Sequence, residues 1–347
     1  MATITTVTEH VENHEGQMVP ITMRELVQVP GVVLEDWFVD LIRDGYCIVK
    51  GAVSKEHCEE YVQNIYELLE SFKLGFDRRD PSTIHKTKLP PMTEKGILKD
   101  NAISHEDFVW KVRAEPGVIS TFERIYNTED LIVSFDAINV SFPKRTDVPK
   151  NAPWPHQDQN PKKPGFRCLQ GLVNLLPNGP NDGGLVVMKG GHKLSNEFHK
   201  LNDTQEQEVA VFSTEYYTLS DDAVAWFASK GCEWVKVCAD PGDLILWDSR
   251  APHYNCGPEG DNHRMAVYTC YMPAAEASQE DLKKKKMCFE NRYSTSHWPD
   301  VQFYSDNHPR REGVPEPDSA IRQQPLHEPV LSERAFKLTG IPYIKDE

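Results

Sequence analysis

The chain has 347 residues, with 53 Asp and Glu against 38 Lys and Arg, a formal charge of −15. So acidic a chain excludes nucleic acid and anionic membrane as expected partners, since both demand basic surface. No apolar run approaches the roughly 20 residues that span a bilayer, and the eight cysteines are scattered with no CxxC pair. That usage fits small core residues in a reducing cytoplasm better than a disulfide framework. A small-molecule substrate is the expected partner, with a homodimer compatible.

Taken in chain order, residues 1–20 are polar and lack the basic start and apolar centre of a signal peptide, so they read as a disordered arm. Residues 21–347 read as a single domain. Tyr46–Lys50 is a short strand, and Lys55–Phe72 a helix behind the N-cap Ser54, with Tyr61, Val62, Ile65, Leu68 and Leu69 at helical spacing. GFDRRDPSTIHKTKLPPMTEKGI is a long loop of the kind that forms lids. Helical segments follow over 105–126, with Ser104 as an N-cap.

LIVSFDAINVSF alternates between two faces, one of which carries Phe135, Ala137, Asn139 and Ser141. A polar residue pointing into a barrel needs a ligand, a water or a neighbouring loop to bond. CLQGLVNLL and GGLVVMKGGH are further strands, and Ser220 and Gly231 bracket the helix DDAVAWFASK. Leu244–Trp247 and Met265–Met272 are β-rich, and the turn sequence GPEGDN between them predicts an antiparallel hairpin. Lys283–Lys286 reads as a solvated helix face, and the proline-rich tail as a cover for the barrel.

The chemistry lies in a His-x-Asp/Glu pattern that recurs at His10, His57, His105 and His156. His10 falls in the arm. His57 and Glu59 are on a helix, where residues two apart diverge, and His105 and Asp107 open another helix. Only His156 and Asp158 lie in a helix-hostile setting, PWPHQDQNP, where extended chain sends both side chains to one face. His253 is the expected third ligand, ahead of His192, His199 and His263. Two imidazoles and a carboxylate form the facial triad of non-haem Fe(II) oxygenases. Arg264 follows, a planar fork suited to a carboxylate. Cys256 and Cys270 are nearby but unneeded as ligands.

The ordered features His156-x-Asp158, GPNDGGLVVMKGGH, PGDLILWDSRAPHYN and Arg264, with the earlier DGYCIVKGAVSKEHCEEYVQNIYELLE, resemble the phytanoyl-CoA dioxygenase-like branch of the Fe(II)/2-oxoglutarate-dependent oxygenases. The likeness runs from about Asp44 to Pro273. It implies a mainly β fold with flanking helices around a double-stranded β-helix (jelly-roll, cupin-like) core at about 130–273. It also implies Fe(II), 2-oxoglutarate and O₂, with His156, Asp158 and His253 on iron and Arg264 on the cosubstrate. Asn255 stands where the family often has serine, and Asn139 where it often has glutamine; both are expected to assist. The implied reaction oxidises an unactivated C–H bond of a specialised metabolite or amino-acid derivative by hydroxylation, desaturation or ring closure, releasing succinate and CO₂. Two other readings use the same residues: a zinc hydrolase or metal-binding cupin, and a catalytically silent interaction module.

Overall fold

The computed structural model describes residues 2–202, 215–301, 303–304, 309–317 and 321–345. The strands begin with β1 (Ala2–Glu12), β2 (Met18–Gln28), β3 (Tyr46–Val49), β4 (Ile97–Leu98) and β5 (Leu131–Val133). Next come β6 (Ile138–Ser141), β7 (His156–Gln157), β8 (Leu169–Asn174), β9 (Gly184–Lys189) and β10 (Tyr217–Thr218). Then come β11 (Glu233–Lys236), β12 (Leu244–Asp248), β13 (His253–Cys256), β14 (Arg264–Tyr268) and β15 (Tyr271–Pro273), and β16 (Arg310–Arg311) and β17 (Val314–Pro315) form a separate pair.

Two sheets face one another. The larger runs β3–β12–β8–β14–β6–β4, with β15 pairing β5 and β8, and the smaller runs β10–β7–β13–β9–β11. Period-two alternation gives the larger sheet two apolar faces. Leu172, Ile245, Trp247 and Ala266 point inward and meet Leu185 and Val187 of the smaller sheet. Val173, Leu244, Leu246, Met265 and Val267 point outward into the main core. That core is completed by helices Lys55–Ser71, Asp107–Arg113 and Pro116–Tyr126, through Ile65, Leu68, Val109 and Phe122. The result is a jelly-roll barrel backed on one side by helices, as the sequence implies. Where sheet and helix meet, Gly45 ends helix Asp36–Asp44 at φ 81, and a Cβ there would lie 2.3 Å from His192 Nδ1. Only glycine fits both demands.

Four expectations are corrected. The amino terminus is not a disordered arm: β1 and β2 pair in register from Ala2↔Gln28 to Glu12↔Met18. Its threonines and valines favour extended chain without adding much hydrophobicity. Its anchors are also remote in sequence, Arg24 with Glu276 and Glu25 with Arg250. Second, β12 and β14 do not form a hairpin, because both flank β8 while β13 between them crosses to the smaller sheet. Third, Lys285 is not solvated: it is buried, donates to the Val133 carbonyl at 2.5 Å, and burial pushes its ammonium down to about 7. Fourth, the helix expected from Ser104 begins at Asp107, after a single turn of 3₁₀ over Ile103–His105.

Arg250 ties the hairpin to the barrel. Its Nη2 reaches Glu25 at 2.9 Å and Asp248 at 2.8 Å, and all of this lies under little solvent. Arg250→Leu strands the buried Asp248 carboxylate and is expected to cost about 3–5 kcal/mol, read as a lower Tm. Arg79→Leu, at the exposed pair with Asp77, should leave Tm unchanged.

Candidate metal and cosubstrate site

The two-residue β7 sets His156 directly across from His253 of β13. Cross-strand partners project from the same face, so the imidazole centroids lie 4.3 Å apart. Just past β7 the Asp158 amide donates to the Ser249 carbonyl at 3.0 Å, which bends the chain. The Asp158 carboxylate is thereby turned to within 3.6 Å of His156 Nε2 and 3.2 Å of His253 Nε2. One donor atom from each residue falls within 4.8 Å of the others.

The rest of the geometry is what a metal would ask for. His156 Nδ1 faces the Trp154 carbonyl at 2.9 Å, and His253 Nδ1 the Ala251 carbonyl at 2.9 Å. With Nδ1–H donating, each Nε2 keeps a free lone pair turned toward Asp158. Gln170 Nε2 donates to Asp158 Oδ2 at 2.9 Å and orients the carboxylate. Burial pulls the His156 imidazole below its ordinary value, and the neighbouring His253 adds to this. Burial would raise the Asp158 carboxyl, but the neighbouring His156 and His297 hold it well below the usual carboxylate range.

Arg264 opens β14, opposite Ser141 of β6, and is buried. Its Nη1 has no hydrogen-bond partner among the described residues. A buried guanidinium nitrogen without an acceptor is costly unless a ligand completes it. Tyr268, on the same face of β14, has its hydroxyl pKa raised by burial, while Arg264 and Asn139 beside it act to lower it. Asn139 Nδ2 donates to the Lys95 carbonyl at 2.8 Å, so this asparagine bonds a neighbouring loop. Asn255, two residues past His253, makes a long 3.4 Å contact to the same carbonyl, while its Oδ1 has no hydrogen-bond partner among the described residues. The donor set thus fits iron, and the orphaned nitrogen of Arg264 fits a carboxylate.

Four other histidines have ordinary structural roles. His192 meets the Ile42 carbonyl at 3.3 Å, and His57 pairs with Glu115 at 2.6 Å. His263 bonds the Tyr66 hydroxyl at 2.8 Å on the face of β14 away from Arg264. His199, expected to stand alone, instead bonds Gln157 Oε1 at 2.6 Å from helix Gly191–Leu201. Neither Cys256 nor Cys270 joins the metal group; Cys270 Sγ is 3.0 Å from Cys168 Sγ. Several residues were missed. Gln170 and Tyr268 share inward faces with residues already suspected, so alternation could have found them. Trp154 stacks on His156 at 3.9 Å and 11°, as residues two apart in extended chain can, whereas Tyr216, 5.0 Å from the same ring, makes a contact that no local pattern announces.

The profile of the phytanoyl-CoA dioxygenase family matches residues 41–264, which takes in all four of His156, Asp158, His253 and Arg264. The chain belongs to the phytanoyl-CoA dioxygenase family. Ava biosynthesis cluster protein O of Aspergillus versicolor is 40% identical to this family member over 267 residues, 76% of this chain and 86% of the relative. Among solved structures, EctD from S. alaskensis with 2-oxoglutarate and 5-hydroxyectoine superposes with a TM-score of 0.49 at 15% identity, covering 80% of this chain and 85% of that one. GlcNAc-inducible gene 2 from Candida albicans gives 0.51 at 11% identity, covering 89% and 81%, which is a likeness of fold.

Gln170→Leu removes the bond that aims Asp158 and should weaken Fe(II) affinity by about 10–100-fold, measured by competition against a chelator. His105→Ala affects a different property. His105 is fully buried, bonded to the Tyr293 carbonyl at 2.9 Å and packed on Phe135. Its loss should lower Tm, at a cost of about 3 kcal/mol, while Fe(II) affinity per folded molecule stays the same.

Proposed function

We propose that this family member is an Fe(II)/2-oxoglutarate-dependent dioxygenase that oxidises an unactivated C–H bond of a small specialised metabolite or amino-acid derivative. The observation that carries this is the meeting of His156, Asp158 and His253 within 4.8 Å, with an unsatisfied, buried Arg264 in the same barrel. His156 and His253 would offer Nε2 and Asp158 a carboxylate oxygen to iron. Arg264 would take the distal carboxylate of 2-oxoglutarate, with Tyr268 beside it and Asn139 and Asn255 lining the cosubstrate space. When bound, iron, 2-oxoglutarate and O₂ supply the oxidising power, with succinate and CO₂ released.

The protein's own work is positional. Gln170 holds Asp158 in one orientation, and the carbonyls of Trp154 and Ala251 hold both imidazoles in one tautomer. Leu172, Val187, Ile245 and Trp247 surround the centre with apolar surface and keep water out. Whether the product is hydroxylated, desaturated or cyclised is set by where the substrate radical lies when it forms. A biosynthesis-cluster protein as a relative supports the metabolite class. No described helix is long and apolar enough to cross a membrane, and we place the enzyme in the cytoplasm, as one oxygenase domain acting on a diffusible substrate.

Anaerobic titration of Fe(II)-loaded protein with 2-oxoglutarate should raise a weak visible charge-transfer band. Arg264→Ala should weaken 2-oxoglutarate binding by about 10-fold or more, as expected on losing a charge-assisted bidentate contact. His156→Ala and Asp158→Ala should abolish succinate formation in air. A protein that binds zinc, gives no such band and makes no succinate would be a hydrolase or a silent barrel instead.

A further inference from the structure

We propose that Gln157, the residue between two of the metal ligands, is a positioning residue for the metal centre. Its side-chain amide ties the His156–Asp158 segment to the segment that carries His253, and His199 fixes the way the amide points. The inference rests on the dioxygenase reading and adds to it the device that holds the ligands in place before a metal arrives.

Alternation sends Gln157 to the face of β7 opposite His156. It is 1% exposed there, beneath helix Gly191–Leu201, whose Phe198 belongs to an apolar cluster with Met188, Leu219 and Phe227. A methionine or leucine would fill such a place at no polar cost, whereas a buried amide is expensive unless it is bonded. Both ends of this amide are bonded. Its Nε2 donates to Ser195 Oγ at 3.1 Å and to the Arg250 carbonyl, and its Oε1 faces His199 Nε2 at 2.6 Å. The orientation follows from the partners. A carbonyl only accepts, so the amide nitrogen must face Arg250 and the amide oxygen must face His199. That oxygen also only accepts, so His199 carries a proton on Nε2. Burial pushes the His199 imidazole down to about 3, so it is neutral at ordinary pH and holds a single tautomer.

Each end of the link bears on a metal ligand. The Arg250 carbonyl immediately precedes Ala251, whose own carbonyl holds His253 Nδ1 at 2.9 Å. Arg250 is itself immobilised, because its Nη2 is gripped by Asp248 at 2.8 Å and by Glu25 at 2.9 Å. At the other end, Gln157 joins His156 to Asp158, and the Asp158 amide bonds the Ser249 carbonyl at 3.0 Å. Two adjacent ties, Gln157 to Arg250 and Asp158 to Ser249, therefore set the spacing of all three ligands. The first of them is made by a side chain, so it can be removed without altering a residue that faces the metal.

The test is Fe(II) affinity of the full chain, measured anaerobically by competition against a chelator, with Co(II) added separately as a spectroscopic probe of ligand geometry. Gln157→Met keeps the volume and loses the amide. It should bind Fe(II) about 10–100-fold more weakly and shift the visible Co(II) bands. His199→Phe frees the amide to turn and should act in the same direction, while His199→Gln, which still offers an N–H, should restore the affinity. The double variant Gln157→Met/His199→Phe should be no weaker than Gln157→Met alone, since both act through one link. Phe227→Leu loosens the packing on the same helix and should lower Tm without moving Fe(II) affinity. Unchanged affinity in Gln157→Met, additive losses in the double variant, or an equal loss in Phe227→Leu would each overturn the assignment. Should Gln157→Met not fold, the comparison of His199→Phe with His199→Gln decides alone, and equal affinities in that pair reject the link. If the unmodified protein binds no Fe(II), the dioxygenase reading fails and this inference with it.

Discussion

One cross-strand register supports everything else in this molecule: His253 opposite His156, where the short β7 touches β13. A slip of one residue would send one imidazole to the outside of the smaller sheet, because side chains alternate. The register is secured from both sides. His253 also pairs with Val187 of β9, and Thr218 of β10 pairs with His156. A third constraint then brings in the carboxylate, since the backbone bond from Asp158 to Ser249 bends the chain back toward the imidazoles.

Around this point the barrel is built as a gradient of polarity. The inner apolar cluster of Leu172, Leu185, Val187, Ile245, Trp247 and Ala266 gives way to Gln170 and Asp158 at the metal. It gives way to Arg264, Tyr268 and Asn139 where a keto-diacid would lie. Such groups are costly in a barrel interior. They are tolerated because most bond one another, and because what is left over, Arg264 Nη1 and Asn255 Oδ1, is what a ligand would satisfy. The outer face of the larger sheet carries no such burden and packs on helices, which makes it the rigid wall against which the site is held.

Local patterns made much of this legible. Extended, proline-bounded chain at His156 and Asp158 excluded the competing His-x-Asp/Glu pairs on physical grounds, and the structure puts those in a hairpin, on a helix and in a buried aromatic cluster. What was not legible involves partners far apart in sequence. The amino-terminal threonines gave no sign of Arg250 and Glu276, which hold the hairpin down. The basic run at Lys283–Lys286 gave no sign that Lys285 would reach the Val133 carbonyl, and His199 none that Gln157 would be its partner. The hairpin expected between β12 and β14 failed for a related reason. Turn chemistry specifies that a chain reverses, but not which sheet it joins on the way.

The sequence by itself determined the ligand types, their order, the carboxylate-binding arginine and the alternation that makes strands two-faced, since these are properties of residues and near neighbours. Only the tertiary structure decided that β13 crosses to the smaller sheet while β14 returns to the larger, so that metal ligands and arginine come from facing walls. It alone set Gln170 on Asp158, Tyr216 on His156 and Lys95 on Trp154. Those contacts join segments whose meeting depends on the closure of the whole barrel, and closure is a property of no single stretch of chain.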